Sequence, residues 1–291
     1  MTGFLQQVVN GLASGSIYAL IAVGYSMVYG VLELINFAHG DIFMLATFIT
    51  LSLILLGVPW PIAMLLGIAA GGIVAILVER FAYRPLRNAD RIAPTITAVG
   101  AALIIQNIAI SIWGPQTQPF PLPFGSGLIQ IGGVYITVLQ IFIVALAGMC
   151  ALGLYLLVQL TPWGRAMRAI RDDPTTAELI GVPVNRIVPA VYAVGGGLGV
   201  VGGILFAAYY NAVYIGMGFT GTMNAFVAAV LGGIGSLKGA FIGGLMLGVM
   251  QALAIGYIAS GYENTVAFII MIGILILKPR GLFGLPTASR V

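Results

Sequence analysis

Long apolar runs alternate with short polar breaks along the whole chain. The runs lie near 9–31, 42–57, 61–79, 93–113, 134–160, 189–212, 222–236, 239–258 and 264–278. A helix needs about 20 mostly apolar residues to cross the hydrocarbon core, so the pattern predicts about eight or nine membrane helices. The run at 134–160 is long enough to tilt. The run at 222–236 is short, as expected of a half-span sheltered by protein. The expected fold is an all-α polytopic bundle with re-entrant or half-length spans, one transmembrane domain over residues 1–291.

Composition reinforces the pattern. Hydrophobic residues make up 60% of the chain and charged residues only 7%, against roughly a quarter charged in a soluble domain. Such a chain cannot cover a water-facing surface, so lipid is its solvent. A single cysteine, Cys150, excludes an intrachain disulfide, and a single histidine, His39, leaves no zinc constellation. No metal or cofactor is expected on this chain. The first apolar run lacks a preceding Lys or Arg, so it reads as retained rather than cleaved.

The net charge of +4 is spread over short loops, which argues against nucleic acid. Arg80, Arg84, Arg87 and Arg91 form one basic group, Arg165, Arg168, Arg171 and Arg186 a second, and Lys278, Arg280 and Arg290 a third. The positive-inside rule puts all three in the cytoplasm, with the C-terminus. The loop at about 114–133 is uncharged and rich in proline, so it belongs outside. Nine spans then put the N-terminus outside, and eight result if residues 33–41 are re-entrant.

Two polar features interrupt the apolar background. In "ELINFAHGDIF", read as helix, Glu33, Asn36 and Gly40 share a face, His39 and Asp41 flank it, and Gly40 can break it. Ionisable groups inside a span are expensive and usually face a cavity or partner, so these five residues are candidates for a pathway or gate. The competing reading is a solvated cytoplasmic loop. One His and one Asp without a nucleophile do not make a catalytic site. Glycines also recur in rows: Gly195, Gly199 and Gly203; Gly235, Gly239 and Gly243; Gly244 and Gly248. That spacing lets helix backbones approach and pack. "LGGIGSLKG" lacks the Walker spacing, which excludes a phosphate loop.

The densest charge lies in "GRAMRAIRDDPTTAELIGVPVNR", within a cytoplasmic loop at about 161–188. Thr161 and Pro162 suit a helix start, and Arg165, Arg168 and Arg171 run along one side. Asp172 precedes Asp173, which is an N-cap for a helix from Pro174. Gly181 is placed for a left-handed stop before Pro183. Ala177 and Ile180 should share the apolar face of this second helix. A topogenic loop needs charge but not two capped helices, which points to a docking element for a cytoplasmic partner. The alternative is an amphipathic helix lying on lipid headgroups.

With these residues in view, the chain resembles the permease subunits of ABC importers for branched-chain amino acids. "GLASGSIYALIAVGYSMVYGVLELINFAHGD", "ERFAYRPLRNADRIAPTITAVG", "GRAMRAIRDDPTTAELIGV" and "AFVAAVLGGIGSLKGAFIGGL" match that family's blocks in order, and the first looks closer to the first of the two paired permeases. The resemblance implies a bacterial inner-membrane transport subunit that is not itself an enzyme. Its partners would be a second, similar permease, two cytoplasmic ATPases holding ATP and magnesium, and a periplasmic binding protein. It assigns ATPase coupling to Gly164, Arg165, Arg168, Asp172, Asp173, Ala177 and Gly181. Relatives that handle urea, amides or other amino acids are the nearest alternative, and an ion-coupled carrier is a rival of another class.

Overall fold

Each predicted run contains a helix in the computed structural model, which describes residues 2–87, 89–90, 92–121, 127–279 and 281–284. Arg91, Arg280, Arg290 and positions 122–126 of the proline-rich loop lie outside the described residues. Among the described residues six helices are long and apolar enough to cross a membrane: α1 (Thr2–Leu32), α3 (Trp60–Val78), α4 (Ile92–Trp113), α5 (Val138–Leu160), α8 (Val184–Tyr210) and α10 (Leu237–Tyr257). Three are shorter: α2 (His39–Leu55), α9 (Met217–Gly232) and α11 (Glu263–Leu277). At 1.5 Å per residue α9 spans about 24 Å, less than the ~30 Å hydrocarbon core. Two short helices, α6 (Pro162–Asp172) and α7 (Pro174–Leu179), fill the charged loop.

The run at 134–160 is not one helix. Gly132 and Gly133, both with positive φ, turn β2 (Leu128–Ile131) back on β3 (Val134–Thr137). A capping box then starts α5: Gln140 N donates to Thr137 Oγ1 (3.1 Å), and Thr137 N to Gln140 Oε1 (2.9 Å). A second short pairing joins β1 (Gln118–Pro119) to β4 (Ala212–Val213).

These strands mark one end of the bundle. The start of α1 is tied there, since Gln6 Nε2 donates to Tyr135 O and Tyr135 N to Gln6 Oε1. The basic side chains gather at the other end. Arg87 reaches Asn185 at the start of α8, while Arg168, Arg171 and Lys238 surround one cavity. Leu282 N and Phe283 N bond to Leu231 O and Gly232 O, the last carbonyls of α9. The nine apolar helices among the described residues alternate in direction, so the start of α1 and the segment after α11 fall at opposite ends.

Helices α1 and α8 are the most buried of the long spans, and α4 and α5 the most exposed. Lipid tails are as apolar as leucine, so helix association rests on close contact rather than on hydrophobic transfer. Gly11, Gly15 and Ala19 of α1 meet Val249, Gly248 and Gly244 of α10 backbone to backbone; a Cβ on Gly248 would lie 2.2 Å from Gly15 Cα. On α8, Gly195 faces the Gly24 carbonyl, Gly199 makes room for the His39 ring, and Gly203 for Phe43. Gly239 and Gly243 admit the backbone of α9 at Gly232 and Ala228. Gly235 does not belong to that row. It lies between helices with φ +85° and serves the turn from α9 into α10.

Candidate functional site

The charged loop folds as its punctuation demands. Thr161 caps α6, accepting from Gly164 N at 3.3 Å, with Pro162 in the first turn. Asp173 caps α7, accepting from Thr175 N (3.0 Å) and from the Thr176 hydroxyl (2.5 Å). Gly181 follows with φ +88°, and its amide bonds to Glu178 O.

Two contacts lock α6 onto α5. Arg168 Nη1 donates to Val158 O at 2.8 Å, neutralising the last turn of α5. Gly164 rests on the same carbonyl, where a Cβ would sit 1.8 Å away. Met167, Ile170 and Ala177 are buried, whereas Arg165, Asp172 and Asp173 are exposed and Arg171 is half-buried. The expected pairing of Ala177 with Ile180 fails. Helix α7 ends at Leu179, so Ile180 leaves the helical register and stands 71% exposed beside Leu179 at 82%.

The break at 33–41 is real but placed differently. Residues 33–36 are not helical: α1 ends at Leu32, and Glu33 takes a left-handed φ of +54°. Glu33 is exposed, so it shares no helical face with Asn36 and Gly40. Nor does Gly40 break a helix, because α2 already begins at His39. Asn36 anchors the turn by accepting from Ala38 N (3.1 Å) and from the Tyr83 hydroxyl (3.2 Å). His39 and Asp41 are buried. Gln106 Nε2 on α4 donates to Asp41 Oδ1 (2.9 Å), and the His39 ring sits edge-on to Tyr25 and Phe43. The solvated-loop reading therefore fits Glu33 alone.

Sequence reasoning missed two polar features. Glu79, fully buried in the π-helical turn after α3, forms an ion pair with Arg87. In sequence the acid stands directly ahead of the basic group that begins at Arg80. On α4, Asn107 and Ser111 lie on an exposed face with Leu103, Ile104, Ile108 and Ile112. Their side chains satisfy themselves on Leu103 O and Asn107 O, both at 2.8 Å. Polar residues one turn apart in an otherwise apolar span were the available signal.

A bundle that holds its polar side chains at an interior break and on one outer helix face, with a rigid charged element at one end, has the architecture of a multi-pass membrane permease. Comparison with known proteins narrows the class. Residues 7–275 match the family described as branched-chain amino acid transport system / permease component, and the chain belongs to that family. It is 38% identical to the high-affinity branched-chain amino acid transport system permease protein BraD of Pseudomonas aeruginosa, over 99% of this chain and 98% of that one. It is 36% identical to the corresponding LivH of Escherichia coli, again over 99% and 98%. The solved structure of PsaBC from Streptococcus pneumoniae in complex with Fab superposes with a TM-score of 0.51, covering 95% of this chain and 92% of that one. At 14% identity that likeness speaks for the fold alone.

Proposed function

We propose that this chain is the permease subunit of an ATP-driven importer of branched-chain amino acids in a bacterial inner membrane. Its basic end would face the cytoplasm, in keeping with the positive-inside rule. A periplasmic binding protein would deliver substrate at the hairpin end, a second permease would complete the path, and two ATPases would dock on α6 and α7. Substrate class rests on the near full-length similarity to BraD and LivH.

The observation that carries the docking role is the contrast within α6–α7. The element is fixed to α5 by Arg168 and Gly164, yet presents Leu179 and Ile180 to solvent. A rigid strut with an exposed apolar tip transmits a push from a partner into α5 and α8. Arg168 acts here as a positioning residue; Leu179 and Ile180 would make the contact.

Leu179→Glu should leave the chain folded in the membrane but lower binding-protein-dependent leucine uptake by roughly 30-fold, the loss of one interface anchor worth about 2 kcal/mol. Arg168→Ala and Asp173→Ala should uncouple uptake from ATP hydrolysis while the binding protein still takes up ligand. Normal uptake in all three, or no ATPase subunit crosslinking to positions 164–181, would sink the docking role.

The exposed polar face of α4 fits a side turned to the second permease or to the path between the two, since lipid offers Asn107 nothing. Asn107→Leu should therefore cut maximal uptake about ten-fold without lowering the amount of protein in the membrane. A lipid-facing position gives the opposite outcome, unchanged uptake with equal or greater stability.

A further inference from the structure

A polar cavity at the basic end is not explained by docking. It encloses about 490 Å³ between the ends of α1 and α5, helix α6 and the start of α10. Arg168, Arg171 and Lys238 line it, and among the described residues no carboxylate does. Lys238 Nζ stands 4.6 Å from the centroid of the Tyr155 ring, another wall residue. The positive end of the α10 macrodipole adds to the same potential, since Ser236, its N-cap, is also on the wall. Ser26 contributes a fully buried hydroxyl with no hydrogen-bond partner. Met27, Val31, Val158 and Leu237 complete an apolar part of the lining.

Three cations around one cavity repel each other, and the Val158 carbonyl on Arg168 and the Tyr155 ring under Lys238 offset only part of that charge. A zwitterionic amino acid does not suit such a wall, because its ammonium group would meet no acid. A phosphate does. The cavity also sits where spanning helices end, with apolar residues beside the charges, the layout of a site for a lipid whose headgroup meets the bases while its chains follow the helices.

We propose that this cavity binds the phosphate-bearing headgroup of an anionic phospholipid, wedged between the coupling element and α10. The lipid would neutralise Arg171 and Lys238 and hold α6 against the bundle. It would thereby make the stiffness of the docking strut depend on the composition of the surrounding leaflet. The assignment rests on the membrane reading of the chain, but its test does not involve transport, so its failure leaves the importer reading standing.

The full chain, purified with whatever subunits accompany it, is stripped of lipid and titrated with phosphatidylglycerol or phosphatidylcholine under native mass spectrometry. Phosphatidylglycerol should be retained and phosphatidylcholine should not. Lys238→Gln should weaken retention about five-fold, Lys238→Arg should restore it, and Arg186→Gln, exposed and away from the cavity wall, should leave it unchanged. Photoactivatable phosphatidylglycerol on the unmodified protein should label α6 or the 235–238 turn, which covers the case of a variant that fails to fold. Equal retention of the two lipids, labelling elsewhere, or displacement of phosphatidylglycerol by excess inorganic phosphate would overturn the lipid assignment. So would a crosslink from position 238 to an ATPase in place of lipid.

Discussion

Replacing Arg87 by alanine is expected to destabilise the folded chain by about 3–5 kcal/mol, the usual penalty for leaving one member of a buried ion pair alone. The asymmetry of burial decides which partner matters more. The Glu79 side chain is fully buried, whereas that of Arg87 retains 18% of its exposure. Without Glu79, the guanidinium can turn toward water and keep its contact with Asn185. Without Arg87, the carboxylate has no route to solvent, and its second oxygen already lacks a partner. Arg87→Ala should therefore lower the melting temperature in detergent more than Glu79→Ala does. The double replacement Glu79→Leu with Arg87→Leu should recover most of the loss, because it removes the charge that desolvation penalises. Equal effects from the two single variants, or none from Arg87→Ala, would contradict this account. The pair also fastens the end of α3 to the start of α8 through Asn185, so a defect here should be felt across both helices.

That pair shows where reading the sequence alone stops. Hydropathy located nine runs that each overlap a helix, though not its exact ends, because the lipid-facing side of each span must be apolar, and this is a property of single residues. Local punctuation was equally readable. Thr161–Pro162, Asp173–Pro174 and Gly181 each act on amides or carbonyls within a few positions, and each caps the helix end assigned to it. The resemblance in four ordered blocks pointed to the family that residues 7–275 match.

What escaped depends on which groups meet in space. Glu79 and Arg87 are eight positions apart, one closing an apolar run and the other within a basic group, and sequence reports neither their contact nor the burial of the acid. The stop of α1 at Glu33 uses a left-handed residue other than glycine, which helical spacing through Gly40 concealed. Gly235 fitted a row of glycines four positions apart, yet its positive φ puts it in a turn. Ile180 fell out of register because α7 is only six residues long. The sequence suggested polar candidates at 33–41; only the packing separates Glu33 at the surface from Asn36, His39 and Asp41 inside.

Gly40→Ala is expected to abolish stable insertion of the chain, a larger effect than any change at the pathway alone. A Cβ at position 40 would sit 2.1 Å from Gly218 O and 2.2 Å from the Thr222 hydroxyl, and a Cβ on Gly218 would reach Gly40 O at 2.6 Å. The nearest obstacle is main chain, so no rotamer change relieves it; α2 and α9 would have to separate by more than about 1 Å. The start of α2 has little freedom to yield. Asn36 holds Ala38 N and is held by Tyr83, and the next residue, His39, is seated in the space left by Gly199. Overpacking commonly costs about 1–3 kcal/mol, and a backbone clash belongs at the upper end or beyond. Gly218→Ala should behave alike, and the two together should not rescue each other. Gly100→Ala, Gly148→Ala and Gly273→Ala, where an added Cβ meets nothing within 4 Å, should leave the amount and melting temperature of the protein unchanged or slightly raised. The comparison also separates two roles for Gly40. A residue that only gates a path would give normal protein levels and melting with uptake lost, and that result would remove the packing argument. Loss of the protein itself would show that the contact between the two half-length helices is a condition of the fold.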